Sequence, residues 1–230
     1  MALSRGRAAG GWPVSLCRRF MTVWRKLESG SEEEEEKEAA AAVYVHWPYC
    51  QRRCTYCNFN KYVKPAVDHD LMQQCLVRES ETLLHLSQIK RISSVYFGGG
   101  TPSLAKPATI AKLLETFSKC AQLPDDTEVT LEVNPTSAGA SKLAEFRSAG
   151  VNRFSLGIQD AVSNHNLMYW RGRQYIGIGP GAHGRFRPST EGGAQREARV
   201  QTLEPDVWMM EVKNSGHGTR KRVRLTQLDV

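Results

Sequence analysis

Three cysteines stand within one short stretch, Cys50-x3-Cys54-x2-Cys57. Thiolates so close together are ligands for a soft metal in a reducing compartment. A [4Fe–4S] cluster held by three cysteines leaves its fourth iron open to an external ligand. Structural zinc is the alternative, but it closes on four ligands and favours paired C-x2-C knuckles. No second knuckle exists here. Cys75 and Cys120 fall in stretches with helical spacing, Cys17 lies in the basic N-terminal stretch, and His46 would have to turn back. Three free thiols form the remaining alternative.

Other residues become informative by position. Gly98-Gly99-Gly100 follows an apolar run and lets a backbone approach a ligand closely; by itself it is an ordinary strand-to-helix turn. Glu132 falls on the polar side of an alternating run, where its carboxylate can accept from a pair of hydroxyls or close a salt bridge. In His165-Asn166-Leu167-Met168-Tyr169-Trp170, an imidazole next to two aromatics suits haem iron, or a surface histidine beside a packed pair. His183 is a weaker second candidate.

The elements that must position these residues alternate. VYVHW (43–47), ISSVYF (92–97), TEVTLEVN (127–134) and NRFSLGIQ (152–159) read as strands. Residues 68–87, 107–120 and 141–150 read as helices, with Pro107 in a first turn, Ser141 as an N-cap and Gly150 as a stop. YIGIGPG (175–181) reads as one more strand ending in a glycine turn. Strand–helix alternation over 43–159 predicts a parallel α/β sheet with chemistry at the carboxyl ends of its strands. The cysteine loop, the glycine turn, Glu132 and Gln159 all fall near such ends.

Composition sets the frame. The chain has 230 residues, 40% hydrophobic and 24% charged, enough for a packed core without a disulfide framework. No eighteen-residue apolar run exists, so no membrane-spanning helix is expected, and any membrane association would be peripheral. The net charge of +7 is uneven. Residues 1–27 carry Arg5, Arg7, Arg18, Arg19, Arg25 and Lys26 and no acid, which suits a mitochondrial transit peptide; a basic tail is the alternative. Residues 28–42, with the run SEEEEEKE, read as an acidic linker. No RNP motif, finger pairing or aromatic-basic stripe supports a nucleic-acid partner.

The motifs together are more specific. VHWPYCQRRCTYCNF, YFGGGTPS, EVNP and RFSLGIQ resemble radical S-adenosylmethionine (SAM) enzymes, over about residues 43–186. Within them they are similar to the coproporphyrinogen dehydrogenase-like branch and its HemW-type haem chaperones, mitochondrial members above all. The resemblance implies a partial (β/α) barrel and a [4Fe–4S] cluster on Cys50, Cys54 and Cys57. It implies SAM bound near Tyr44, Tyr56, Gly99, Gly100, Thr101, Glu132 and Gln159. The open iron would hold the methionine amino and carboxylate groups, and an electron from the cluster would break the sulfonium S–C bond. HNLMYW resembles that family's haem-associated motif, which makes His165 the implied haem ligand and haem-accepting proteins the implied partners.

This chain departs from that pattern. Gln159 and His165 are six residues apart, where the family carries further strand–helix units. The family's longer carboxyl-terminal domain is likewise expected to be missing. The expectation is a truncated α/β core over 43–186, an irregular basic segment over 187–230, and a matrix protein that binds haem and SAM but has lost SAM cleavage. A porphyrin-biosynthetic oxidoreductase, like oxygen-independent coproporphyrinogen oxidase, is the other functional reading.

Overall fold

The computed structural model describes residues 39–52, 60–134, 138–156, 173–189 and 195–225. In chain order these form β1 (Ala40–Trp47), β2 (Tyr49–Cys50), β3 (Tyr62–Val63), α1 (His69–Ser87), β4 (Arg91–Gly99), α2 (Pro107–Cys120), β5 (Glu128–Val133), α3 (Ala140–Ser148) and β6 (Arg153–Leu156). Then follow β7 (Gln174–Ile178), β8 (His183–Phe186), β9 (Glu197–Gln201), α4 (Pro205–Ser215) and β10 (Thr219–Arg224). Eight of the described strands make one mixed sheet in the order β10-β9-β8-β7-β1-β4-β5-β6. From β7 to β6 the pairing is parallel; from β7 to β10 it is antiparallel. The fold is therefore α/β, with an open sheet among the described residues.

Local chemistry sets the elements. Asp68 caps α1 by accepting from the Leu71 N–H at 2.9 Å, and Met72, Cys75, Leu76 and Leu83 bury one face of the helix. Pro107 opens α2, whose Ile110, Leu113 and Phe117 are buried. In β5, Val129, Leu131 and Val133 face the core as their alternation predicts. The core packs these faces against Val43, Val45, Ile92, Val95, Phe97 and, further along, Ile176, Ile178, Phe186 and Trp208.

Several expectations need correction. The ordered core begins at Ala40, not Val43, so the acidic linker ends earlier; three small alanines carry little strand signal yet fill a buried strand between β4 and β7. Ser141 does not cap α3: Gly139 holds the cap position without a side-chain bond, and the helix ends at Ser148 before Gly150. The segment after Arg187 is not irregular, since it contains β9, α4 and β10. Its alternation is disguised, because Glu197 and Arg199 occupy buried strand positions as a 2.9 Å ion pair where apolar residues normally sit. VWMMEV lies within α4, capped by Glu204 on the Val207 N–H at 2.7 Å.

Glu79 on α1 stitches the two parts of the sheet together. Its fully buried carboxylate accepts from the Gly179 N–H (2.6 Å) after β7, from the Gly218 N–H (2.8 Å) before β10, and from Trp208 Nε1 of α4 (3.0 Å). Burial pushes its pKa up to about 7, against the pull of these three donors.

Candidate functional site

Parallel pairing brings the carboxyl ends of β1, β4 and β5 to one rim. Tyr44 lies beside Tyr96, which lies beside Thr130, so their side chains share one face of the sheet. Tyr44 and Tyr96 stack with ring centres 6.1 Å apart. Two residues beyond Thr130, Glu132 emerges on the same face. Its carboxylate accepts from Tyr96 Oη at 2.8 Å and from the Gly99 N–H at 3.2 Å. Burial raises its pKa, and those two bonds oppose the rise. Both tyrosines are held above the usual phenol range, first by burial and then by the Glu132 charge. The result is an acceptor fixed in direction at a strand end, flanked by two un-ionised phenols.

The glycine turn is built against the start of the cysteine loop. The Gly100 N–H donates to Trp47 O at 2.6 Å and the Thr101 N–H to Tyr49 O at 2.9 Å. Gly99 has φ +108°, and a Cβ there would meet the His46 ring at 2.7 Å; one at Gly100 would meet Tyr49 O at 2.8 Å. Close approach of two chain segments therefore demands these glycines before any ligand is considered. Thr101 Oγ1 donates to Cys50 Sγ at 3.2 Å, which puts the first cysteine beside the turn.

A second network, not anticipated from the sequence, closes the base of that loop. The β2–β3 pair sets Tyr49 beside Tyr62 and Cys50 beside Val63. His46 is buried, which lowers its pKa and leaves it neutral near pH 7. Asn60 O can only accept, so His46 Nε2 donates to it (2.9 Å) and Nδ1 accepts from Tyr44 Oη (3.1 Å). Asn60 Nδ2 in turn donates to Leu203 O (2.9 Å) and Pro180 O (3.2 Å). The loop's far end is thus pinned to the turn after β7. The histidine that spacing left as a remote metal-ligand candidate is a structural wedge.

Of the residues singled out in the sequence, Tyr44, Cys50, Gly99, Gly100, Thr101 and Glu132 come together here. Tyr56, Cys54, Cys57, Gln159 and His165 lie outside the described residues. Cys75 and Cys120 sit on α1 and α2, remote in sequence from the loop, as their spacing suggested. Among the described residues no group of three metal-ligating side chains forms. The sequence motifs do not single out Tyr96, although it stands two residues before Gly98 on β4 and so shares its face.

The sequence pattern of the radical SAM superfamily matches residues 44–176. This chain belongs to that superfamily. Its radical SAM relatives include the zebrafish (Danio rerio) "Radical S-adenosyl methionine domain-containing protein 1, mitochondrial", 39% identical, with 82% of this chain and 70% of that protein covered. That alignment runs over 311 positions, longer than the whole chain, so the relative carries an internal stretch that this chain lacks. The Escherichia coli "Heme chaperone HemW" is 34% identical over 51% of this chain and 32% of its own length. The solved structure of coproporphyrinogen III oxidase (HemN) from Escherichia coli, described as a radical SAM enzyme, superposes with a TM-score of 0.63 at 15% identity, covering 84% of this chain and 74% of that one. The last likeness shows a shared radical SAM fold. Membership of the superfamily implies a [4Fe–4S] cluster and SAM.

Proposed function

We propose that this chain is a haem-carrying radical SAM protein of the mitochondrial matrix. Cys50, Cys54 and Cys57 hold the cluster; Tyr44, Tyr56, Gly99, Gly100, Thr101, Glu132 and Gln159 surround SAM; His165 ligates haem. The observation that carries the reading is the convergence of Cys50, the glycine turn and Glu132 at the rim of β1, β4 and β5. That donor set fits its groups. Cys50 offers a sulfur already accepting a hydrogen bond, and Glu132 offers an oriented acceptor for a pair of hydroxyls. When bound, the cluster supplies one electron to SAM. Support for the haem role is the HNLMYW string and the printed name of the HemW relatives; support for the matrix is the acid-free basic N-terminal stretch and the names of the mitochondrial relatives.

The internal stretch missing relative to the zebrafish protein favours carriage over catalysis. SAM cleavage needs a water-poor pocket with donors from several strand ends, whereas haem needs one imidazole and an apolar slot. Anaerobic reconstitution with iron and sulfide, followed by titration with SAM and haem, tests the proposal. Cys50→Ala, Cys54→Ala and Cys57→Ala each remove the cluster's iron; Cys75→Ala and Cys120→Ala do not. His165→Ala weakens haem binding and His183→Ala leaves it nearly unchanged. Full iron retention by Cys54→Ala sinks the cluster assignment. Robust release of 5′-deoxyadenosine transfers the chain to the oxidoreductase reading, and haem binding indifferent to His165 removes the ligand.

A further inference from the structure

The superfamily pattern ends at residue 176, yet two turns beyond it reach back to the cysteine loop. Residues 179–181 follow β7, and residues 202–206 lead from β9 into α4. The turns are bonded to each other, the Gly181 N–H donating to Thr202 O at 2.9 Å. Both rest on the buried Glu79 carboxylate. It accepts from the Gly179 N–H in the first turn and from the Gly218 N–H, and Gly218 O in turn accepts from the Thr202 N–H at 2.8 Å.

The turns meet the chain where it leaves the cysteine loop. Asn60 stands three residues after Cys57. Its Nδ2 donates to Leu203 O of one turn at 2.9 Å and to Pro180 O of the other at 3.2 Å. Both acceptors are carbonyls, so only the NH2 end of the amide fits between them. Gly181 has φ +82°, and a Cβ there would run into the same amide, so the turn is shaped around it. Four residues further on, Lys64 pairs with Asp206 at 2.7 Å. Glu204 and Asp206 stand within electrostatic reach of Tyr49 at the loop's entry, and Glu204 within reach of Tyr62 on β3.

These contacts hold the end of a loop rather than the core. Asn60 and Lys64 put no apolar side chain into the packed interior, and the Asn60–Leu203 bond and the Lys64–Asp206 pair lie at the surface. Breaking them opens the loop's exit while the packed faces behind it stay closed.

We infer that the two turns form a strap that fixes the exit of the cysteine loop, with Asn60 as the positioning residue that fastens it. The strap lies outside the span of the superfamily pattern, so the loop depends on the antiparallel strands as well as on the parallel half. The consequence for a cluster rests on the proposed cysteine assignment; the bracing of the loop does not.

Two readouts on the full chain test the strap. The first needs no metal: trypsin cleavage within residues 52–61, which carry Arg52, Arg53 and Lys61, followed by mass spectrometry. The second is the rate at which a chelator strips iron after anaerobic reconstitution with iron and sulfide. Asn60→Ala removes both side-chain bonds and leaves the Asn60 backbone carbonyl on His46. Asn60→Asp keeps the size but turns a carboxylate oxygen toward the two carbonyls. Both variants should be cut in the loop, and lose iron, about 10-fold faster than wild type. Asp206→Ala loosens the strap from α4 and should give a rise of about threefold. Leu114→Ala lowers global stability from α2, remote from the strap, and should leave loop cleavage unchanged, because the locally opened chain keeps that packing.

A wild-type cleavage rate in either Asn60 variant overturns the inference, and so does equal acceleration by Leu114→Ala. Faster cleavage with unchanged iron release overturns the positioning role of Asn60. Should neither Asn60 variant fold, a wild-type cleavage rate in Asp206→Ala overturns the strap. Faster cleavage of the variants in a protein whose wild type takes up no iron removes the cluster assignment and leaves the strap standing.

Discussion

The two halves of the sheet organise chemistry differently. In the parallel half every strand points its carboxyl end the same way, so Tyr44, Glu132 and the glycine turn meet at one rim. In the antiparallel half consecutive strands reverse, and polar residues spread across a face as rows: His183 and Arg185 along β8, and Arg187 just past its end. The rim is neutral or acidic and internally bonded; the face is cationic. Parallel pairing gathers side chains at one rim, and antiparallel pairing spreads them over a face.

The comparison can be broken most severely at Glu79, where the halves are joined. Glu79→Ala leaves the Gly179 and Gly218 N–H groups and Trp208 Nε1 buried without their acceptor. We expect a loss of about 3–5 kcal/mol in urea unfolding. Glu79→Gln costs less but changes the pH profile. With the native carboxyl pushed up to about 7 from an ordinary 4.5, the native state keeps a proton that the unfolded state releases. The stability from that proton is full below pH 4.5 and is lost as pH rises to about 7, a fall of roughly 3 kcal/mol that is absent in the variant. A flat wild-type profile across this window would contradict the assignment.

At the rim, Tyr96→Phe removes the 2.8 Å bond that orients Glu132. It should cost about 1–2 kcal/mol and weaken SAM binding severalfold, read by calorimetry, without altering haem affinity. Unequal loss on the two ligands separates the SAM rim from the proposed haem ligand; equal loss erases that separation. Thr101→Val deletes the donor to Cys50 Sγ, and a donor to a ligating sulfur raises a cluster's reduction potential. The variant should bind iron normally and titrate at a potential lower by tens of millivolts. Lys64→Ala breaks the 2.7 Å pair with Asp206 between β3 and α4; both side chains are well exposed, so unfolding should change by less than about 0.5 kcal/mol.

Legibility followed the same division. The parallel half declares itself through alternation and caps: Asp68, Pro107 and the Val129-Leu131-Val133 stripe mark element boundaries that depend on near neighbours. Glu132 and the glycine turn were readable because strand ends in such a fold are where side chains converge. The antiparallel half resisted for two reasons. Glu197 and Arg199 are only two residues apart, but a charged pair at alternate positions reads as a solvent face and here is buried as mutual counter-charges; other contacts are distant. The His46–Asn60 link spans a loop, and the Asn60–Pro180 bond joins residues 120 apart in sequence.

The pairing of β7 with β1 also governs the order of folding. The first strand of the sheet has its partner on one side at residues 91–99 but must wait for residues 174–178 on the other. During synthesis β1, β4 and β5 can assemble while β1 still has an open edge, a template for a wrong strand until β7 emerges. Closing so long a loop costs entropy before any contact repays it, so the late step is slow relative to the local helices. A nascent chain paused before residue 174 is the form most in need of a holdase.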